Sequence, residues 1–252
     1  MPESERFHET VRREFSKKAV REAVEAGDAL VRTAGSLDEA LCHFQEPEFH
    51  KMEPQWEFTR ENSSWVEEYA EEMMEEMRIG VTASYMRPPP AAPRRRGLPY
   101  KEDDTLELME GLWKDISKGR MFMCSFETLG GYASDIEMTP TTLVPKRNPD
   151  QTLSTEKRII ADLRRINLYF DQSEDYPVVL PTVEALARKI VCLKRKFPTQ
   201  PVLLTKRDIK SAFRLIRLHP QMAKVMGTEM RGYHFECLGD IVLFYGVLPF
   251  GW

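Results

Sequence analysis

Apolar residues recur at helical spacing through the first third of the chain, then at a period of two through much of the last half. Over residues 4 to 32, Phe7, Val11, Phe15, Val20, Val24 and Val31 stand on a charged background. That spacing predicts an amphipathic helix, with Gly27 as an interruption. Two further helix starts carry the S-x-x-E capping pattern, Ser36 with Glu39 and Ser64 with Glu67, in which side chains satisfy the unpaired amides of a first turn. The second opens WVEEYAEEMMEEM, whose glutamates form a solvated face while Trp65, Tyr69, Met73 and Met77 turn toward a core or a protein partner. Leu106, Met109, Leu112, Trp113 and Ile116 predict another helix over 105 to 118, ending at Gly119. Asp103 and Asp104 suit the positive end of its dipole.

Beyond Gly119 the alternation predicts strands at 120 to 126, 141 to 146, 157 to 163, 202 to 207, 224 to 230, 233 to 238 and 241 to 248. One helix interrupts them, capped by Thr182 and carrying Val183, Leu186, Ala187, Ile190 and Val191. The pattern is α+β, with no internal repeat. Residues 88 to 99, PPPAAPRRRGLP, hold five prolines in twelve positions and favour an extended backbone. The expected organisation is therefore an acidic, mainly helical region at 1 to 87, a Pro/Arg-rich linker at 88 to 99, and a mixed region at 100 to 252.

Charge follows the same division. Residues 1 to 137 carry 18 basic and 29 acidic side chains, whereas 138 to 252 carry 18 and 11. The net -4 of the whole chain thus conceals a balance of -11 against +7. Four scattered cysteines, Cys42, Cys124, Cys192 and Cys237, match neither a disulfide framework nor a paired zinc site. Cys192 and Cys237 are expected as small buried side chains, and His219 and His234 as structural histidines. The charged N-terminus and the lack of a long apolar run argue against a signal peptide and a membrane span. An intracellular protein, in cytoplasm or nucleus, is expected. No GxxxxGK[ST], GxSxG or HExxH occurs, which removes the commonest P-loop, hydrolase and zincin chemistries.

Three segments carry candidate chemistry. Residues 141 to 167 predict a hairpin that concentrates Lys146, Arg147, Lys157, Arg158, Arg164 and Arg165, side chains suited to phosphate oxygens. In VLLTKRDIKSAFRLIRLHP, an apolar run leads to Asp208, with Ala212 and Phe213 just after it. A carboxylate at a strand end either holds a divalent cation, with a neighbouring backbone carbonyl, or caps a turn. In DIVLFYGVLPFGW, an apolar strand runs into a Pro-Gly turn.

In this order the segments resemble the fingers and early palm of retroelement and retroviral reverse transcriptases. The family's R-x-x-x-D-[LF]-R-x-[LI]-N is matched by Arg158, Asp162, Leu163, Arg164, Ile166 and Asn167. An extended stretch with Tyr176 and Pro177 and the helix at 183 to 193 follow. D-x-x-x-A-[FY] is matched by Asp208, Ala212 and Phe213, and [YF]-x-x-L-P-[FQ]-G by Tyr245, Leu248, Pro249, Phe250 and Gly251. The polar lead-in to Asp208, followed by D-I-x-x-A-F-R, also looks like the DIRS-like retrotransposon branch.

The resemblance implies a helical N-terminal region followed by a partial right-hand polymerase fold, with fingers and an incomplete palm of mostly antiparallel sheet and packed helices. It implies RNA-directed DNA polymerisation on a primer–template, in which Mg²⁺, or Mn²⁺ in its place, bridges a dNTP and the primer 3′-oxygen. Asp208 would be the catalytic, metal-binding carboxylate and Ile209 would offer its carbonyl. Arg158 and Lys146 would grip the triphosphate from the fingers. Phe213 would lie against the sugar and exclude a 2′-hydroxyl, while Phe250 and Gly251 would support template and nucleotide.

The family's [YF]-x-D-D hairpin, which supplies the later carboxylates, does not occur in these residues. Asp103 and Asp104 stand in Y-K-E-D-D, far upstream, and do not replace it. The expectation is a retroelement polyprotein piece without polymerase activity of its own, lacking the rest of the palm and thumb. Because the Asp208 strand pairs with the [YF]-x-D-D hairpin in the family, it is expected to leave an apolar sheet edge unpaired, with strand 241 to 248 nearby. The competing expectation is a noncatalytic nucleic-acid-binding or protein-interaction protein derived from a retroelement.

Overall fold

The structure, a computed structural model, describes residues 2–49, 79–82, 102–130, 136–168, 182–204 and 212–249, without the side chains of 46–49, 102, 212 and 213. These residues form a mixture of helices and antiparallel sheet, an α+β architecture. Three helices open the chain: α1 (Glu3–Val11), α2 (Lys17–Ala34) and α3 (Leu37–Phe49). The single helix expected over 4 to 32 is thus broken, and at Arg12–Ser16 rather than at Gly27. Ser16 takes the N-cap of α2, its Oγ accepting from the Ala19 amide at 3.1 Å, which favours a fresh start over continuation. Phe15 turns instead toward Trp113, ring centroids 6.1 Å apart, and Trp113 Nε1 donates to the Arg13 carbonyl at 2.9 Å. α2 ends on Gly35 in the left-handed region, and Ser36 caps α3 by accepting from the Glu39 amide at 3.1 Å. The Ser64 capping pattern and the 88 to 99 linker lie outside the described residues.

After α4 (Glu102–Ile116) come β1 (Met121–Ser125), β2 (Thr141–Arg147), β3 (Leu153–Ala161), the short α5 (Arg164–Asn167), α6 (Val183–Lys196), α7 (Pro220–Lys224), β4 (Gly227–Met230) and β5 (Ile241–Tyr245). The main sheet is antiparallel in the order β1-β5-β4, with Met121 opposite Tyr245 and Met230 opposite Ile241. All five β5 residues are buried, so both faces of this strand are covered. β5 is central, paired on both sides; the edge expected to stay unpaired belongs to the Asp208 strand, and residues 205–211 lie outside the described residues. β2 and β3 form the expected hairpin, with a register shift between Pro145 and Arg147. Met138 bridges Gly227, tying the approach to β2 to the main sheet.

The core is shared between the opening helices and the sheet. Phe7, Phe44 and Phe122 are fully buried and meet at centroid distances of 5.3 to 5.6 Å. α2 crosses β1 so closely that a Cβ on Gly27 would lie 1.9 Å from the Met123 carbonyl oxygen. Asp28 Oδ1 accepts from the Ser125 amide at 2.7 Å. Val81 extends this join, its amide donating to Arg217 O at 2.8 Å while His219 N donates to Val81 O at 3.1 Å.

Three strand expectations are corrected, the first at 202 to 207, where the described residues 202–204 form no strand. The strand expected at 224 to 230 is shortened to Gly227–Met230 because Pro220–Lys224 is helical, started by Pro220 after His219, whose Nδ1 accepts from the Gln221 amide at 3.3 Å. Residues Gly232–Phe235 form a 3-10 turn, closed by Glu236 at φ 61. Because Met230 and Ile241 face each other across antiparallel strands, the chain between them must reverse, so the alternation of Tyr233, Phe235 and Cys237 cannot become a strand.

Candidate nucleotide and nucleic-acid site

The hairpin presents two unlike faces. On β3, Lys157, Ile159 and Ala161 turn toward α4: Ile159 packs on the core and Lys157 pairs with Glu107 and, at 3.6 Å, Asp104. Alternation puts Arg158 and Ile160 on the opposite face, where Arg158 stands across from Val144, both exposed.

Most of the cations are already engaged. Lys146 Nζ donates to Glu156 Oε2 at 2.6 Å, and this bond and the ammonium charge hold the Glu156 carboxyl below its ordinary range. The Lys157 ammonium is pushed up, first by its hydrogen bond to Glu107. Asp162 takes two hydrogen bonds from the Arg164 guanidinium, at 2.8 and 2.6 Å, which raise the arginine further. Arg165 meets Glu137 at 3.1 Å. Arg158 is different: among the described residues it has no ion-pair partner. Both arginines of the R-x-x-x-D-L-R motif face solvent, but only Arg164 is held by a carboxylate among the described residues, while Leu163 and Ile166 of the same motif are buried. A depression of about 290 Å³ lies beside them, lined by Glu137, Thr139, Asp162, Arg164 and Arg165 among others.

Asp208, Ile209, Phe250 and Gly251 lie outside the described residues, as does the Phe213 side chain. The backbone of Phe213 belongs to a 3-10 turn, Ala212–Leu215. The chain on either side of these positions is brought together. Arg217 pairs antiparallel with Val247, Leu248 N donates to Ile216 O at 2.9 Å, and Leu218 N donates to Gly246 O at 3.0 Å. The segment after Asp208 thus runs alongside the segment before Phe250 and Gly251. Among the described residues no group of three or more His, Cys, Asp or Glu side chains is placed to hold a metal ion.

Sequence reasoning missed the polar groups that fasten this junction. Arg214 Nη2 lies 3.1 Å from Asp115 Oδ2, Arg214 Nη1 donates to the Leu248 carbonyl at 3.3 Å, and its guanidinium carbon stands 5.4 Å from the Tyr245 ring centroid. Arg120 takes the other Asp115 oxygen at 3.3 Å. Gln45, buried on α3, donates to Leu218 O at 3.0 Å and accepts from Arg217 at 3.3 Å. The only advance signal was the arginine that follows A-F in the second motif. Nothing in the spacing marked Asp115 or Gln45.

Cys192 is exposed on α6 rather than buried, because α6 buries none of its residues. Cys124 is fully buried, and burial pushes its thiol well up. Cys237 is half-buried in a cleft of about 530 Å³ between α2 and residues 236–239, where burial pushes the thiol up to about 11. No helix among the described residues is long and apolar enough to cross a membrane. No protein-family model matches the chain, and no curated protein matches it.

Proposed function

We propose that these residues are the fingers and early palm of a retroelement reverse transcriptase, the portion that receives primer–template and dNTP. The observation that carries the reading is the antiparallel junction of Ile216–Leu218 with Gly246–Leu248. It sets the residues that follow the D-x-x-x-A-F segment beside Gly246–Leu248 of the Y-x-x-L-P-F-G segment, an adjacency that a shared nucleotide site would need. The exposed Arg158, without a competing carboxylate among the described residues, is the second support. In this reading Arg158 donates to triphosphate oxygens, while Phe213 and the Phe250–Gly251 turn bound the sugar and base. Asp208 is the carboxylate for a divalent metal, Mg²⁺ or Mn²⁺. The metal neutralises phosphate charge when bound; holding the nucleotide and the strand falls to the chain's own residues. Since no [YF]-x-D-D occurs in these residues, phosphoryl transfer itself is not assigned to them.

Filter binding of an RNA primer–template and equilibrium binding of a fluorescent dNTP, on one preparation, test this. Retention of both ligands, with dNTP affinity reduced about tenfold or more by Arg158→Ala, is the expected result. RNA retention with no dNTP binding under Mg²⁺ or Mn²⁺ would instead mean a noncatalytic nucleic-acid-binding protein. Incorporation abolished by Asp208→Asn would extend the assignment to catalysis.

A further inference from the structure

We infer that Arg214 is a positioning residue, a two-armed fastener that locks the two nucleotide-site segments to one helix. The inference rests on the proposed reading for its functional meaning, and on geometry for its existence.

One arm is an ion pair. Arg214 Nη2 reaches Asp115 near the C-terminus of α4 at 3.1 Å, and only 15% of the arginine side chain and 17% of the aspartate are exposed. The other arm is the hydrogen bond from Nη1 to the Leu248 carbonyl at 3.3 Å. The plane between the arms stands over Tyr245 at 5.4 Å, the first residue of the Y-x-x-L-P-F-G motif. Arg120 holds the second Asp115 oxygen at 3.3 Å, so the carboxylate cannot swing away with the arginine. Arg214 follows Phe213 directly, and Leu248 lies two residues before Phe250. One planar group therefore ties the residue that follows Phe213 to Leu248, two residues before Phe250, and both to α4.

A guanidinium is suited to this because its donors are fixed in one plane at divergent angles. An ammonium is a single point and cannot serve both partners along the same directions. The chemistry predicts a split. Arg214→Lys keeps the pairing to Asp115 and loses the Leu248 arm; Arg214→Gln loses the charge for both.

The test is amide hydrogen exchange on the full chain, read by peptide. Arg214→Gln is expected to raise exchange about tenfold in peptides covering 212–218 and 246–249 together. Arg214→Lys is expected to restore protection in 212–218 but not in 246–249, and Asp115→Asn to loosen 212–218. Peptides of α1 and of the β2–β3 hairpin should be unchanged. Exchange that rises evenly across the chain, or in one segment only under Arg214→Gln, or full rescue of both segments by lysine, overturns the fastener. On the same samples, dNTP affinity should fall about tenfold in Arg214→Gln at a temperature where the variant remains folded. Unchanged affinity in a wild type that binds dNTP overturns the positioning role. A wild type that binds no dNTP overturns the polymerase reading instead, and the exchange pattern still decides whether the fastener exists.

Discussion

Adding one methyl group at Gly27 should destabilise the protein, although the position is in the middle of a helix. Alanine is ordinarily favoured over glycine there by about 0.5 to 1 kcal/mol. Against this, the new Cβ would lie 1.9 Å from the Met123 oxygen and 3.0 Å from its carbonyl carbon. Ordinary contact begins near 3.4 Å, so α2 and β1 would have to separate by about 1.5 Å. The obstacle is backbone in a strand paired to β5, not a side chain that can rotate away. Overpacking of this kind costs about 1 to 3 kcal/mol, and separation also strains the Asp28–Ser125 hydrogen bond, worth about 1 kcal/mol. The sum, less the propensity gain, is a net loss of about 1 to 3 kcal/mol.

Urea unfolding followed by tryptophan fluorescence reads this as a midpoint lowered by about 0.5 to 1 M. Gly111→Ala is the internal control. Its Cβ would meet only the flexible end of Ile159, the Cδ1 atom at 2.6 Å, so relief is cheap and the change should be near neutral. The reasoning is refuted if Gly27→Ala raises the midpoint, because that is what a helix free of the sheet would do. The same experiment asks whether residues 1 to 87 fold apart from residues 100 to 252, as the charge and proline pattern suggests.

Phe7→Ala should cost about 3 to 5 kcal/mol, since the ring is fully buried between Phe44 and Phe122; a loss below 1 kcal/mol in urea unfolding would contradict the shared core. A chain without residues 1–49 should bind a hydrophobic dye and aggregate, having lost the cover of β1, and a well-folded monomer by sedimentation would count against that. The Cys237 thiol is raised to about 11 by burial, from 9.0. Its neutral form is favoured in the fold, so its contribution to stability is complete below pH 9 and is lost as pH rises toward 11. Iodoacetamide at pH 9 should accordingly modify the exposed Cys192 well before Cys237, and equal rates by mass spectrometry would remove the buried thiol.

What was legible in the sequence was whatever is decided locally. The caps at Ser36 and Thr182 hold as expected, accepting at 3.1 Å, because a hydroxyl and an amide three residues away need no distant partner. The β2–β3 hairpin was legible for the same reason. Phe15 misled because it continues the spacing of Val11 while turning to Trp113, a residue about a hundred positions away. Gly27 misled because a missing side chain looks alike whether it breaks a helix or admits a strand. Residues 233–238 misled because their alternation is genuine but the antiparallel pairing of β4 and β5 leaves no room to extend it. The site divides likewise: the motifs stand in the sequence, whereas Asp115, Arg120 and Gln45 acquire meaning only when the chain folds back on them.

The balance of +7 in residues 138 to 252 is a poor measure of grip on nucleic acid, and the hairpin shows why. Lys146, Lys157, Arg164 and Arg165 each have a carboxylate oxygen within 4 Å, so a phosphate would have to displace that partner before gaining anything. Only Arg147, which donates to the Gln151 carbonyl at 3.3 Å, and Arg158 are left without a carboxylate in this hairpin among the described residues. Counterion release counts contacts actually made, with a slope of log K against log salt of about 0.7 per phosphate on a single strand. If the chain binds RNA as proposed, then without dNTP to occupy Arg158 the hairpin should contribute about 1.4 to that slope, not the roughly 4 that six free cations would give. Arg147→Ala with Arg158→Ala should lower the slope for single-stranded RNA by about 1.4, while Lys157→Ala should leave it unchanged. A fall of equal size from Lys157→Ala would mean that the Glu107 pair opens when RNA binds, and that the hairpin is rebuilt by its ligand rather than presented to it.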